Sequence, residues 1–129
     1  MASILQLDPR DPLPLYAQLE RGIKLAIAAG DLPVGGQLPT VRQLAVELKI
    51  NANTVGRVYA DLERSGAIET RRGVGSFVTA TAAQARPPKE HEKRLRAFVT
   101  RLLAEAGSAG FTVEEIAEGL RSHESVTER

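Results

Sequence analysis

Two short amphipathic repeats, set almost end to end, constrain this chain more than anything else in its sequence. Thr40 is placed to cap a helix, with Gln43 three residues on to complete a capping box, and Val41, Leu44, Ala45 and Leu48 follow at i, i+3, i+4, i+7 spacing. That pattern predicts a helix of about ten residues. After Lys49 and Ile50, Asn51 is placed to cap another helix with the stripe Val55, Val58, Tyr59 and Leu62, closing at Ser65-Gly66. Two short helices across so tight a turn make a helix-turn-helix candidate.

The flanking segments complete a unit around this pair. Upstream, Leu15, Leu19, Ile23 and Ile27 recur every fourth residue, with Tyr16 and Ala26 alongside and Gly30 at a capping position, which predicts a helix from Pro12 to Ala29. Residues 31–39 are too rich in Gly and Pro for a helix and read as a loop anchored by Leu32, Val34 and Leu38. Downstream, residues 67–79 hold two strand-like runs around a glycine-bearing turn beside Arg71 and Arg72, the pattern of a β-hairpin wing. Three helices followed by a hairpin is the winged-helix order, so the expected fold is mostly α with a small β-hairpin.

Composition shifts after residue 80. Residues 81–88 are small and polar and end in a double proline, as a linker does. Beyond it Leu95, Phe98, Val99, Leu102, Leu103 and Ala106 mark a helix of about eighteen residues. Residues 107–110 read as its break. Thr112 and Glu115 form a second capping box, with Phe111 and Ile116 as a hydrophobic staple, opening a last helix that turns Val113, Ile116, Ala117 and Leu120 inward and frays from Ser122. Two helices of this size bury too little apolar surface to stand alone. The same pair on a second copy supplies the missing surface, which assigns Leu95, Phe98, Val99, Leu102, Leu103, Ile116 and Leu120 to dimerisation; folding back on the first domain is the alternative. The expected domains are residues 1–80, a winged helix-turn-helix; 81–88, a linker; and 89–129, a helical dimerisation tail.

Composition excludes several chemistries. There is no cysteine among the 129 residues, hence no disulfide framework, thiolate nucleophile or cysteine-ligated zinc. His91 and His123 stand far apart without carboxylates at metal-ligand spacing, so no metal is expected. No Ser-His-Asp set or paired carboxylates appear, and Gly73-Val74-Gly75 lacks the Lys-Ser/Thr ending of a phosphate loop. Neither an enzyme nor a cofactor is expected. The start of the chain has no signal-peptide pattern and no run is long and apolar enough to span a membrane, which makes a cytoplasmic protein the expectation.

Net charge is only +1, so an argument for nucleic acid has to be local. Arg42, Arg57, Arg71 and Arg72 supply it, falling on the two short helices and the wing. Asn51 and Asn53 fit a helix cap and a surface residue as well as a DNA contact. Tyr16, Tyr59, Phe77 and Phe98 lie on apolar stripes and are expected in the core. A winged-helix module that binds protein instead of DNA is the competing reading, and the basic wing argues against it.

Four motifs, in order and at matching separations, carry a resemblance to a known family: Leu38-Pro39-Thr40-Val41-Arg42-Gln43-Leu44-Ala45; Asn51-Ala52-Asn53-Thr54-Val55; Tyr59-Ala60-Asp61-Leu62-Glu63-Arg64-Ser65-Gly66-Ala67-Ile68; and Arg71-Arg72-Gly73-Val74-Gly75-Ser76-Phe77-Val78. Over residues 12 to 79 the chain resembles the GntR family of bacterial transcription regulators. Its short two-helix tail is similar to that of the YtrA subfamily, whose tails dimerise and lack a large effector-binding domain. The resemblance implies a regulator, a repressor in the first instance, that binds a palindromic operator as a homodimer. It implies that Thr40 and Thr54 contact phosphates, Arg42 reads a base edge, and the wing around Gly73, with Gly75, enters the minor groove. Many members carry arginine where this chain has Ala52 or Gly56, which leaves base readout on the third helix to Asn51, Asn53 and Arg57 without distinguishing among them. A small-molecule effector stays open, because no convergent polar cluster marks a site for one.

Overall fold

The computed structural model describes residues 5–79 and 87–127. The chain divides into two compact units, Met1–Thr81 and Ala82–Arg129.

In the first unit, α1 spans Leu15–Ala29 and starts three residues later than its apolar repeat suggests. Pro14, extended at ψ 150°, is its N-cap, and the prolines at 12 and 14 disfavour helical backbone in the residues before them. It ends at Gly30, whose φ of 87° suits glycine, and buries Leu19, Ile23 and Ala26. A segment to which the sequence assigned no role crosses this helix. Leu5 is buried, and a Cβ at Gly22 would lie 2.7 Å from its Cδ2, so the missing side chain at Gly22 makes room for it. Gln18 holds the segment in place: its Oε1 accepts from the Asp8 amide at 2.8 Å, and its Nε2 donates to the carbonyls of Asp8 and Leu13 at 2.9 and 2.7 Å.

Helix α2, Val41–Leu48, opens with the expected capping box: Thr40 Oγ1 accepts from Gln43 N at 3.0 Å and Gln43 Oε1 from Thr40 N at 2.9 Å. It stops at eight residues because Lys49 turns left-handed at φ 57°. Asn51 then caps α3, Ala52–Arg64, accepting from Asn53 N at 2.8 Å. Strands β1, Ile68–Arg71, and β2, Gly75–Val78, form the antiparallel wing with Ile68 opposite Val78 and Arg71 opposite Gly75.

The loop before α2 does more than connect. Gly35 N donates to Val78 O at 2.8 Å, Val78 N to Gly36 O at 2.9 Å and Leu38 N to Ser76 O at 2.8 Å, so residues 35–38 lie along β2 as a third lane. Gly and Pro hide this pairing from a periodicity reading. Leu38 is buried and Leu32 packs on the core as expected, whereas Val34 is half exposed and anchors nothing.

One core joins these elements. Leu19 and Ile23 from α1, Leu44 and Ala45 from α2, Val55, Val58, Tyr59 and Leu62 from α3, and Ile68 and Val78 from the wing are all buried in it. The Tyr59 hydroxyl donates to the Pro39 carbonyl at 2.7 Å, tying α3 to the entrance of α2.

In the second unit, α4 spans Pro88–Ala109 and α5 Val113–Thr127. Pro88 occupies the first turn of α4, where no amide is needed. Residues 81–86 of the expected linker lie outside the described residues. Three expectations for the tail are corrected. The first helix has 22 residues and runs through Gly107; the stop is Gly110, at φ 89°, which donates to Ala106 and Gly107. A helical glycine costs roughly 1 kcal/mol, too little to end a helix whose next residues continue it. The last helix does not end near Ser122 but reaches Thr127. Its capping box forms as expected, Glu115 N donating to Thr112 Oγ1 at 3.2 Å and Thr112 N to Glu115 Oε1 at 3.1 Å. Phe98 is not a core residue, being 56% exposed; among the described residues of this unit only Ala106 is buried.

Burial, and secondarily the Glu47 carboxylate, push the Tyr59 hydroxyl well above its ordinary range. The unfolded chain therefore ionises this group first, and its stabilising contribution, intact below about pH 10, falls as pH rises above that by up to ~1.4 kcal/mol per unit. Tyr59→Phe is expected to cost about 1 kcal/mol at neutral pH through the lost hydrogen bond. It should also flatten the alkaline fall in stability, as urea denaturation between neutral pH and pH 11 would record. Parallel alkaline profiles for the two proteins would contradict this account.

Candidate nucleic-acid interface

Helix α3 buries Val55, Val58, Tyr59 and Leu62, and at 100° per residue the opposite face carries Asn53, Arg57, Ala60 and Arg64, all exposed. On one side of it stands the start of α2 with Thr40 and Arg42. The wing follows its C-terminal end, with Arg72 and Gly73 in the turn between the strands. Every DNA-contact candidate thus belongs to the first unit, on α2, α3, their caps or the wing, while the dimerisation candidates lie in the second.

Their chemical availability differs. Arg42 and Arg72 are exposed and have no side-chain partner among the described residues. Arg71 is engaged: its Nη2 and Nε donate to Glu69 Oε1 at 2.7 and 2.9 Å, and its guanidinium lies 4.4 Å over the Phe77 ring. Its guanidinium is thus paired with a neighbour on the same strand, so Arg72 is the freer cation of the wing. Arg57 lies 3.9 Å over the ring of Tyr16. A stack of this kind is worth about 0.5–1 kcal/mol at an exposed site. It holds the guanidinium towards α1, and Tyr16, expected only in the core, acts as its platform.

The threonines and asparagines divide in the same way. Thr40 Oγ1 is occupied as an acceptor by its cap, which leaves its hydroxyl proton free to donate to an anion. Asn51 Oδ1 is likewise committed to Asn53 N, leaving its amide protons. Asn53 presents both ends of its amide without a side-chain partner among the described residues, and Thr54 is half-buried. Gly73 sits in the turn at φ 75°, a conformation that favours glycine. Gly75 does not share that position. It opens β2 at φ 139°, where a Cβ would fall 2.5 Å from Gln37 Nε2.

Gly56 is helical, and a Cβ there would meet only Val41 Cγ1 at 3.9 Å, an ordinary contact. Packing within the chain does not require glycine at this position. Among the described residues no group of three or more His, Asp or Glu side chains could hold a metal, and no helix is long and apolar enough to cross a membrane.

These geometries give two opposite expectations for stability. Gly56→Ala should raise it by about 0.5–1 kcal/mol through helix propensity. Asn51→Ala should lower it by about 1 kcal/mol through the lost cap, with Asn51→Asp near neutral. Chemical denaturation of the three variants decides; a destabilised Gly56→Ala would show that the helix surface there is already in contact.

Residues 15–78 match the family of bacterial regulatory proteins named after gntR. The transcriptional repressor YtrA of Bacillus subtilis is 32% identical over 118 residues, 92% of this chain and 90% of its own length. The solved structure of YtrA from Sulfolobus acidocaldarius, a GntR-family transcription factor, superposes with a TM-score of 0.58 at 30% identity, over 78% of this chain and 98% of that one. The DNA-binding domain of AraR, solved in complex with operator ORX1, superposes with a TM-score of 0.53 at 26% identity, over 58% of this chain and 96% of that one. The chain belongs to the GntR family of bacterial transcription regulators, in its YtrA-like branch.

Proposed function

We propose that the protein is a homodimeric repressor that binds a palindromic operator, with one winged unit in each half-site. The observation that carries this reading is the pair of exposed guanidinium groups without side-chain partners among the described residues, Arg42 at the start of α2 and Arg72 at the wing turn. An arginine without a carboxylate is free to pair two donors with guanine O6 and N7, worth about 1–3 kcal/mol of discrimination, or to bind a phosphate. The likeness to a DNA-binding domain solved in complex with an operator supports DNA as the partner of this unit.

In this reading Arg42 reads a base edge, and Thr40 and Thr54 donate to phosphates. Arg72 and Gly73 follow the minor groove, with Arg71 and Gly75 shaping the wing behind them. Asn53 is the α3 residue best placed for bases because both its amide groups are free, Asn51 contributes its amide protons beside the cap, and Arg57 contacts the backbone from its stack on Tyr16. The tail supplies the second half-site. Leu95, Phe98, Val99 and Leu120 are between 39% and 62% exposed, while Leu102, Leu103 and Ile116 are partly covered, which leaves an apolar stripe for the same stripe of a second copy. Two-fold symmetry then sets the half-site centres one helical turn apart, about 34 Å. Occlusion of a promoter by such a dimer represses it. The protein works in the cytoplasm, where the DNA is.

Selection of bound duplexes from random-sequence DNA with the full chain is expected to return an inverted repeat. On that duplex, Arg42→Ala should lose about 1–3 kcal/mol and relax preference at one position, whereas Arg72→Ala should weaken all sequences alike and reduce the salt slope by about 1. Unchanged affinity and preference in Arg42→Ala would remove its assignment. Sedimentation should show a dimer for the full chain and a folded monomer for Phe98→Asp, which should bind a palindrome little better than a single half-site. A monomeric parent would overturn the role given to the tail.

A further inference from the structure

The wing turn has a brace outside the hairpin. Gln37 belongs to the lane that runs beside β2, and it is the residue of that lane paired with Phe77. Its side chain reaches along the wing, and Nε2 donates to the Val74 carbonyl at 3.1 Å. Val74 adjoins Gly73 in the turn, and its own amide donates to Arg71 O at 2.9 Å. The Gln37 amide therefore holds the turn at the carbonyl of the same residue whose amide closes its internal hydrogen bond. The space it occupies exists only because Gly75 has no side chain, since a Cβ there would stand 2.5 Å from Nε2.

The same lane continues directly into α2. Leu38 N is bonded to Ser76 O, Pro39 O accepts from Tyr59, and Thr40 caps the helix that carries Arg42. One continuous stretch of backbone thus links the wing turn to the start of α2, and Gln37 is its last side-chain contact with the turn. Arg71 cannot perform this task, being tied to Glu69 and Phe77 further down the strand.

We infer that Gln37 is a positioning residue for the wing, fixing the turn that carries Arg72 relative to Arg42 so that both arginines meet one duplex together. Gln37 itself touches no base or phosphate in this account; it acts through Arg72. The strands are held by the core and by the lane, but the turn lies beyond both, and without this brace its tip would sample more poses, each with an ordering cost on binding. The inference rests on the DNA-binding reading above.

The test uses the full chain and Gln37→Met, which keeps the length of the side chain and removes its donor. A labelled mixed-sequence duplex of about three helical turns, roughly 30 base pairs, serves as probe, with affinity read across a salt series. Gln37→Met is expected to bind about 3- to 10-fold more weakly with a salt slope reduced by up to about 1, the change also expected of Arg72→Ala. In the double variant the losses should not multiply, because both remove the same contact. The amides of the wing turn should loosen in Gln37→Met, with NMR order parameters falling towards about 0.6, while its melting temperature holds. Wild-type affinity and slope in Gln37→Met, losses that multiply in the double variant, or an equally ordered turn would each overturn the inference. If Arg72→Ala itself binds like the parent, the wing has no DNA role and the DNA-face reading falls first, taking this one with it.

Discussion

Everything in the first unit depends on burying one face of α3. Val55, Val58 and Leu62 are fully covered and Tyr59 nearly so, and the partners that cover them come from α1, α2 and the wing. At about 25 cal/mol per Å² this is the largest favourable contribution available to so small a unit. It also decides orientation, because a helix with one face fixed in a core has its opposite face fixed towards solvent. Tyr59 adds direction to that burial. Its ring belongs to the apolar stripe while its hydroxyl is bonded to Pro39 O, so rotation of α3 about its axis would cost both packing and a part-buried hydrogen bond.

How much of this could be read from sequence follows from the range of each interaction. The caps at Thr40, Asn51 and Thr112 are local, made within three residues, and each forms as its spacing implies. The apolar stripes of the helices are likewise local signals, and the order of elements emerged from them. The Leu5 segment was invisible because two leucines have no period, and its seat, Gly22, looks like any helical glycine until the chain crosses it. The third lane at residues 35–38 was hidden for a related reason: its pairing partner is some forty residues away, and Gly and Pro advertise only the absence of helix. Gly107 misled in the opposite direction. Composition marked a break, while the backbone turned left-handed three residues later at Gly110.

The candidate interface could be proposed from sequence as a set of residues but not as a set of available groups. Sequence put Arg42 and the wing first as DNA contacts, left Arg57 undistinguished from Asn51 and Asn53, and gave no means of telling Arg71 from Arg72. Structure separates them by what each already holds: a tyrosine ring for Arg57, a glutamate and a phenylalanine for Arg71, nothing for the other two. Such distinctions depend on side chains that meet across elements, which one-dimensional spacing does not encode. In the tail the same limit appears as exposure. The stripe of α4 was recognisable, and its bareness within a single chain, with Phe98 more than half exposed, became visible only in three dimensions.

The lane at residues 35–38 has a further effect that concerns solubility. A two-strand ribbon that projects from a protein offers two open edges, each a template for a strand of another molecule. Here β2 is paired on both sides, by β1 and by the lane, so one of those edges is closed. The remaining edge belongs to β1, only four residues long, and it carries the Glu69–Arg71 pair, charges of the kind that discourage further strand addition. The projecting wing is in this way kept from becoming a seed for polymerisation.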